Sequence, residues 1–323
     1  MKRAVFFQGL SNIFFKKPLA VSFEVTHSCT CNCLHCDKGG SEGERKRITP
    51  SEYSELILEL KPPVVQISGG EPLTRPDIED VVRCAKSALG NGVPFLIFVT
   101  NGSLLTEERY LSLKEAGVDR FSISLDFPDD RHDRFRRHTG LYKHLSELIP
   151  RLAERFGGED IGLNSCITRK NFTSILELYE KAVEWGVSIS YSAYSVLRTG
   201  DRSYFIEREN ELKELKCAIN RLIELKKRGE WRILNPISNL YNTYRFFAKG
   251  GIDGCRAGMR FLVVRPDGSL NPCSMHPAQQ YKTQNEVLRV FTRNNKCNAC
   301  YVAIRAYTDK SLFSIIRDTI SFI

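Results

Sequence analysis

The 323-residue chain contains no apolar run of about 18 residues or more, which excludes a helix that crosses a membrane. It also lacks a secretory signal. Met1-Lys-Arg-Ala-Val-Phe-Phe carries charge and an apolar patch, but no long apolar core followed by a small-residue cleavage site. Internal repeats and low-complexity segments are absent, so a solenoid or a disordered linker protein is not expected. An even set of evenly spread cysteines is missing too. The eleven cysteines form two tight groups, 29–36 and 255–300, with Cys84, Cys166 and Cys217 isolated between them. That excludes a secreted disulfide framework and points to metal in a reducing, cytoplasmic setting.

What is present is ordinary globular composition, 42% hydrophobic and 26% charged, with enough apolar material for one large domain and a smaller one. The net charge of +9 is compatible with nucleic acid, an anionic membrane surface, or anionic substrates and cofactors. The basic residues are dispersed, apart from Lys16-Lys17, Arg45-Lys46-Arg47 and the run from Arg134 to Arg137. A solvated basic surface is the expectation, and no nucleic-acid partner is expected.

From Val21 to Tyr191, short β-rich runs alternate with helical stretches. Strands are expected at Val21–Val25, Val64–Ile67, Phe95–Val99, Arg120–Leu125, Ile161–Ile167 and Val187–Tyr191. Helices are expected near Pro50–Leu60, Asp77–Leu89, Glu107–Ala116, Leu141–Phe156 and Thr173–Trp185, with Gly90, Gly117, Gly157 and Gly186 as stop signals. Strand–helix alternation implies an α/β fold with a parallel sheet built from right-handed crossovers. Ligands then bind at the carboxyl ends of the strands. Residues 195–210 read as a linker, and 207–228 as a charged helix lying across the first domain. Phe261–Asn271 reads as a hairpin turning at Pro266-Asp267-Gly268.

Directly after the first strand comes Cys29-Thr-Cys-Asn-Cys33-Leu-His-Cys36. Three thiolates on one loop can ligate three irons of a [4Fe–4S] cube and leave the fourth open. A zinc site completed by His27 or His35 is the rival reading. The C-x3-C-x2-C spacing resembles the signature of the radical S-adenosylmethionine (SAM) superfamily. The resemblance implies a partial (β/α)6 barrel in which SAM chelates the open iron through its amino and carboxylate groups. Cleavage of SAM then yields a 5′-deoxyadenosyl radical that abstracts hydrogen from a substrate, with Cys29, Cys33 and Cys36 as the catalytic cluster ligands. Cys31 falls outside the family spacing and is left unassigned. His35 occupies the position where the family has an aromatic ring near the adenine; a plain loop histidine is the alternative.

The rest of the resemblance runs from about Pro18 to Tyr191. Ser68-Gly69-Gly70-Glu71-Pro72 follows the second strand and is similar to the family motif that contacts the methionyl amino group. The two glycines allow close backbone approach, and the carboxylate can accept from an ammonium. Thr100-Asn101-Gly102 follows the third strand. Ser124 resembles a family serine near the ribose and carboxylate of SAM. Arg136 resembles the arginine that pairs with the SAM carboxylate, with Arg134 as competitor. Asn164 lies where the family contacts ribose hydroxyls; a polar edge-strand residue is the other reading.

In the second group, Cys255 is followed by twelve residues, Gly268, four residues and Cys273, and later by Cys297-Asn-Ala-Cys300. This looks like the single-cluster (twitch/SPASM-like) auxiliary domain of many radical SAM enzymes, which implies a second, auxiliary [4Fe–4S] cluster. A zinc ribbon is the alternative. The expected organisation is an N-terminal amphipathic segment (1–18), a radical SAM barrel (19–195), a linker with helices (196–254), and a small C-terminal iron–sulfur domain with a tail (255–323).

Substrate expectations are broader: a lipid or isoprenoid-like molecule, another small molecule such as a cofactor precursor, or a peptide to be modified by a maturase. A non-catalytic zinc-stapled nucleic-acid module is the alternative from a different class. The terminal Ser-Phe-Ile differs from the Gly-Gly ending of the family that makes the molybdopterin precursor from GTP. Only 28 residues precede Cys29, so a leader-peptide domain is not expected. A flavodoxin- or ferredoxin-type electron donor is implied. Val5-Phe6-Phe7, Leu10 and Ile13-Phe14-Phe15, flanked by Lys2, Arg3, Lys16 and Lys17, suggest peripheral contact with the inner membrane surface. Leu312-Phe313, Ile315-Ile316, Ile320 and Phe322-Ile323 repeat the theme. The competing expectation is that both ends pack on the barrel.

Overall fold

Alternating burial explains the strands of the computed structural model, which describes residues 3–41, 43–277, 279–310 and 314. In β2 (Val64–Ser68), β3 (Phe95–Thr100) and β4 (Arg120–Ser124), Val65, Ile67, Leu96, Phe98, Phe121 and Ile123 are fully buried. They face the helices: the Tyr110 ring of α4 (Glu107–Ala116) lies 4.7 Å from that of Phe121. Their neighbours Gln66, Ser68, Ile97, Val99 and Ser122 point to the opposite face and are only half-buried. The sheet thus has one face sealed by helices and one face that solvent reaches.

Strands β1 (Ala20–Glu24), β5 (Ile161–Ile167) and β6 (Ser188–Ala193) complete six parallel strands, each paired with its sequence neighbour. The crossovers are α2 (Pro50–Leu60), α3 (Ile78–Ser87), α4, α6 (Leu141–Phe156, preceded by the short α5, Arg131–Arg136) and α7 (Ile175–Glu184). Local chemistry sets their ends. Thr49 and Glu52 form a capping box in front of Pro50, and Thr106 accepts from the Arg109 amide. Gly117 ends α4 at φ 117°.

The sheet is larger than six strands. Its order is β6-β5-β4-β3-β2-β1-β7-β8, with β7 (Phe261–Val264) parallel to β1 and β8 (Leu270–Asn271) antiparallel to β7. The expected hairpin forms around Pro266-Asp267-Gly268, and it extends the main sheet rather than building a sheet of its own. Nothing in the local pattern of Phe261–Val264 names β1 as its partner, because the pairing joins residues about 240 positions apart. Helix α11 (Ala303–Thr308) packs against β1, β6 and β7, across the open side of this partial barrel.

Residues 195–210 correct the linker expectation. Tyr204, Phe205 and Ile206 are buried, and Phe205 packs 5.1 Å from Phe247 of α9 (Ile237–Lys249). Polar neighbours hid this short apolar anchor in the sequence. The charged helix α8 (Glu209–Lys227) buries Leu215, Ile219 and Leu222 and packs against α7 and α9. At the other end of the chain, α1 (Arg3–Phe14) buries Val5 and Asn12, whose amide donates to the carbonyls of Pro18 and Lys61. Phe7, Phe14 and Phe15 remain exposed. The C-terminal apolar run from Leu312 lies outside the described residues, Ser314 excepted.

Candidate functional site

The loop after β1 is held by backbone bonds to the loops that follow β2 and β4. Gly70 and Glu71 donate to the carbonyls of Thr26 and Ser28 at 2.7 and 2.8 Å, and Asn32 and Leu34 donate to those of Arg136 and Phe135. Gly69, at φ 136°, and Gly70 allow this contact. A Cβ would lie 2.2 Å from the Thr26 carbonyl oxygen at the first and 2.1 Å from that of Ser28 at the second. The close approach read from these glycines is therefore made to the cysteine loop itself.

Cys29, Cys33 and Cys36 share this loop with Cys31, which is almost fully buried. Two side chains from outside the loop donate to sulfur: Asn101 Nδ2, just after β3, to Cys29 at 3.7 Å and Arg136 Nη1, at the end of α5, to Cys33 at 3.8 Å. A hydrogen bond from the Cys31 thiol, and then the Arg136 charge, hold Cys33 down to about 6, whereas burial pushes Cys29 up to about 11 and also raises Cys36. Among the described residues no three Cys, His, Asp or Glu side chains converge on a single ion position. Three thiolates on a cube sit at three separate irons and need no such convergence. The loop's sulfurs, together with their N–H donors, suit an anionic sulfur-ligated cluster.

Around the loop, polar groups come from the ends of β2, β3 and β4, from helix α5 and from the middle of β5. Glu71 is fully buried; Oε1 accepts from the Leu73 amide and the Thr100 hydroxyl, and Oε2 accepts from the Asn101 amide at 2.7 Å. Burial still raises it to about 7. Pro72 starts the short turn of 3-10 helix behind it. Arg136 is buried and grips Asp126 Oδ2 through Nε and Nη2 at 2.7 and 2.6 Å, whereas Arg134 points outward to Asp130. His35 is buried and stacks on Phe135, 4.5 Å between ring centroids. Ser124 and Asn164 are register partners on β4 and β5, and Asn164 Oδ1 accepts from Ser190 Oγ at 3.1 Å on β6.

Several residues of this site escaped the sequence reading. Asp126 has zero exposure and orients Arg136, the Cys166 amide and, through its own amide, His132 Nδ1. Its place directly after a strand was the available signal. Glu24 is nearly buried; despite that burial it is held at about 2 by His27, Lys38 and Arg265. Arg265 of the hairpin reaches Glu24 at 2.9 Å, and Arg198 reaches Asp37 at 2.8 Å and Ser274 at 3.4 Å. These two arginines tie the second cysteine region to the first loop; contacts of such long sequence separation leave no local pattern.

In the second region Cys273 and Cys300 are buried and Cys255 and Cys297 half-buried. Burial pushes Cys273 up to about 12 and Cys300 to about 11, each also feeling the charge of Cys255. Ala20, Ala257, Phe261 and Ile304 pack with Cys273. Asn295 donates to the Cys255 carbonyl and accepts from the Cys297 amide, and Arg305 donates to the Cys300 carbonyl.

Comparison with known proteins agrees with this geometry. Residues 23–182 match the model of the radical SAM superfamily. The chain is 28% identical over 301 residues to an AdoMet-dependent heme synthase of Methanosarcina barkeri, covering 86% of this chain and 82% of that protein. It is also 28% identical over 301 residues to a probable GTP 3′,8-cyclase of Methanococcus aeolicus, covering 88% and 93%. Its fold resembles that of Streptococcus suis SuiB bound to its precursor peptide SuiA, with TM-score 0.64 and 18% identity over 98% of this chain and 70% of that one. The chain carries a radical SAM superfamily domain over residues 23–182 and is a radical SAM iron–sulfur enzyme.

Proposed function

We propose that Cys29, Cys33 and Cys36 hold the [4Fe–4S] cluster and that the chain uses SAM to abstract hydrogen from a polar organic substrate seated on the open inner face of the sheet. The cluster and SAM supply an electron and a primary carbon radical when bound. The protein's part is to place, orient and shield. The observation that carries this reading is the ring of polar groups around one three-cysteine loop: Glu71, Asn101, Asp126 with Arg136, and Ser124 with Asn164.

Glu71 uses three of its roughly four acceptor positions and retains one for the SAM ammonium. A buried carboxylate at about 7 gains an ion partner when that ammonium docks. Gly69, Gly70 and Pro72 fix the approach of this segment. Arg136, already aimed by Asp126, serves the SAM carboxylate and the cluster sulfur; Ser124 and Asn164 serve ribose hydroxyls; the stacked His35 flanks the adenine. Cys255, Cys273, Cys297 and Cys300 hold a second, auxiliary cluster. A flavodoxin- or ferredoxin-type protein supplies electrons.

The half-buried inner face favours a polar small molecule, such as a cofactor precursor, over a lipid, since Gln66, Ser68, Ser122, Asn164, Ser190 and Ser192 line it beside the apolar Val64, Phe95, Ile97 and Val99. Similarity to a heme synthase and a GTP cyclase supports the same choice. A peptide substrate is the second reading, supported by the fold shared with peptide-bound SuiB. Membrane contact rests on the exposed Phe7, Phe14 and Phe15 beside Lys16. Vesicle co-sedimentation lost in a Phe14→Ser/Phe15→Ser chain supports that contact, and equal binding ends it.

The decisive experiment is anaerobic reconstitution followed by dithionite and SAM. Formation of 5′-deoxyadenosine, with about eight irons per chain, is expected. Stoichiometric zinc without iron, or a fully loaded protein that leaves SAM intact, overturns the proposal.

A further inference from the structure

Four buried arginines of this chain spend their guanidinium forks on neighbours. Arg75 serves Asp77, Tyr53 and two carbonyls; Arg136 serves Asp126; Arg265 serves Glu24; Arg305 serves three carbonyls and Asp309. Arg120 does not. It is the first residue of β4, in register with Ile97 of β3, and it alternates with the helix-facing Phe121 and Ile123. Its side chain therefore lies on the open inner face, at the floor of the sheet. Its Nε is buried without a hydrogen-bond partner. Among the described residues no carboxylate forms an ion pair with it. Asp160 acts on it through its charge but spends its oxygens on the Tyr110 hydroxyl and Lys114. Burial works against the guanidinium charge.

The walls around this fork are aromatic. The guanidinium carbon lies 5.8 Å from the centroid of Phe95 on β3, and the exposed Tyr307 of α11 is close enough for the two groups to influence each other's charge. Above it stand the hydroxyls and amides of Ser122, Ser124, Asn164 and Ser190. A half-buried guanidinium whose Nε lacks a hydrogen-bond partner leaves a donor for an anion to complete. Between aromatic walls it forms a planar two-pronged receptor for an oxyanion.

We infer that the substrate carries an oxyanion, a carboxylate or a phosphate, and that Arg120 binds it at the floor of the inner face. This deepens the proposed function and rests on it for the word substrate. Four residues of strand at about 3.3 Å each place Arg120 about 13 Å below Ser124 and the cysteine loop.

The test uses the SAM-saturated, cluster-loaded protein, so that the SAM carboxylate fills its own site. Inorganic phosphate and benzoate are titrated by calorimetry at constant ionic strength into wild type, Arg120→Gln, Arg120→Lys and, as a surface control, Arg155→Gln. Wild type and Arg155→Gln should bind one anion alike, Arg120→Lys several-fold more weakly, and Arg120→Gln at least tenfold more weakly. The tighter of the two anions distinguishes a phosphoryl from a carboxylate substrate. As a measurement on wild type alone, modification of Arg120 by phenylglyoxal, read by peptide mass spectrometry, should slow severalfold when the preferred anion is present. Equal binding by wild type and Arg120→Gln, or a modification rate indifferent to both anions, overturns the inference. SAM cleavage is assayed separately and its outcome does not enter these readouts, so failure here and failure of the proposed function are distinguishable.

Discussion

The two cysteine regions of this chain combine burial and polar contacts in different proportions. In the first, the backbone is pinned to neighbouring strand-end loops and the sulfurs receive N–H donors from Asn101 and Arg136. In the second, Cys273 is packed among Ala20, Ala257, Phe261 and Ile304; burial raises Cys273 and Cys300, as it raises Cys29 in the first, while a hydrogen bond with His276 lowers Cys297. Donors aimed at sulfur stabilise negative charge, and apolar packing fixes the position of the chain that carries it. The difference teaches that the first region is anchored mainly by backbone bonds to its neighbours and the second mainly by an apolar shell, with Arg265 to Glu24 and Arg198 to Asp37 linking the two.

That contrast can be broken most directly at Cys33. Cys33→Ala should lower 5′-deoxyadenosine formation at least a thousandfold and remove about four irons while leaving the second region's iron in place; retention of full iron and activity would erase the distinction. Next comes the ion pair behind it. Asp126→Asn strips the buried partner from Arg136 and should cost about 3 to 5 kcal/mol in chemical denaturation, with SAM cleavage falling about tenfold or more as the guanidinium loses its aim. A loss below 1 kcal/mol would mean that Arg136 is not positioned by this pair.

Cys273→Ser sharpens the comparison from the other side. It should remove the second region's iron, lower thermal stability, and leave SAM cleavage without substrate within about fivefold of wild type. Matching loss of cleavage in Cys273→Ser and Cys33→Ala would show two reactive centres rather than one. The smallest effect concerns acid. Burial holds His132 at about 3 and His35 at about 4, so both stay neutral in the fold while the unfolded chain takes up protons below about 6.5. Their contribution is present above that pH and is lost as pH falls toward 3 to 4. In His132→Gln the slope of unfolding free energy between pH 6 and 4 should diminish by about 1.4 kcal/mol per pH unit; an unchanged slope would show that His132 is accessible to protons in the fold.

Much of this was legible because it is local. The β-rich runs Val64–Ile67 and Phe95–Val99 marked strands, and Gly117 marked a helix end. The cysteine spacing marked the loop. Longer-range facts were hidden for a physical reason. Pairing of β7 with β1 and the reach of Arg265 and Arg198 depend on which surfaces the completed sheet brings together. Gly69 and Gly70 show the intermediate case: the requirement for a bare backbone was readable, but its partner, the Thr26–Ser28 backbone, was not. Tyr204–Ile206 were masked by polar neighbours, though each is buried.

The parallel pairing of β7 with β1 has a consequence for biosynthesis. During translation β1 is the first of the eight strands to leave the ribosome, yet one of its two edges stays unpaired until residues near 261 have emerged. Throughout that interval the cysteine loop hangs from a strand with an open edge, a geometry that invites both wrong pairing and premature metal capture. Maturation of the first centre is therefore expected to follow, rather than precede, arrival of the C-terminal hairpin, so that iron insertion reports on completion of the fold.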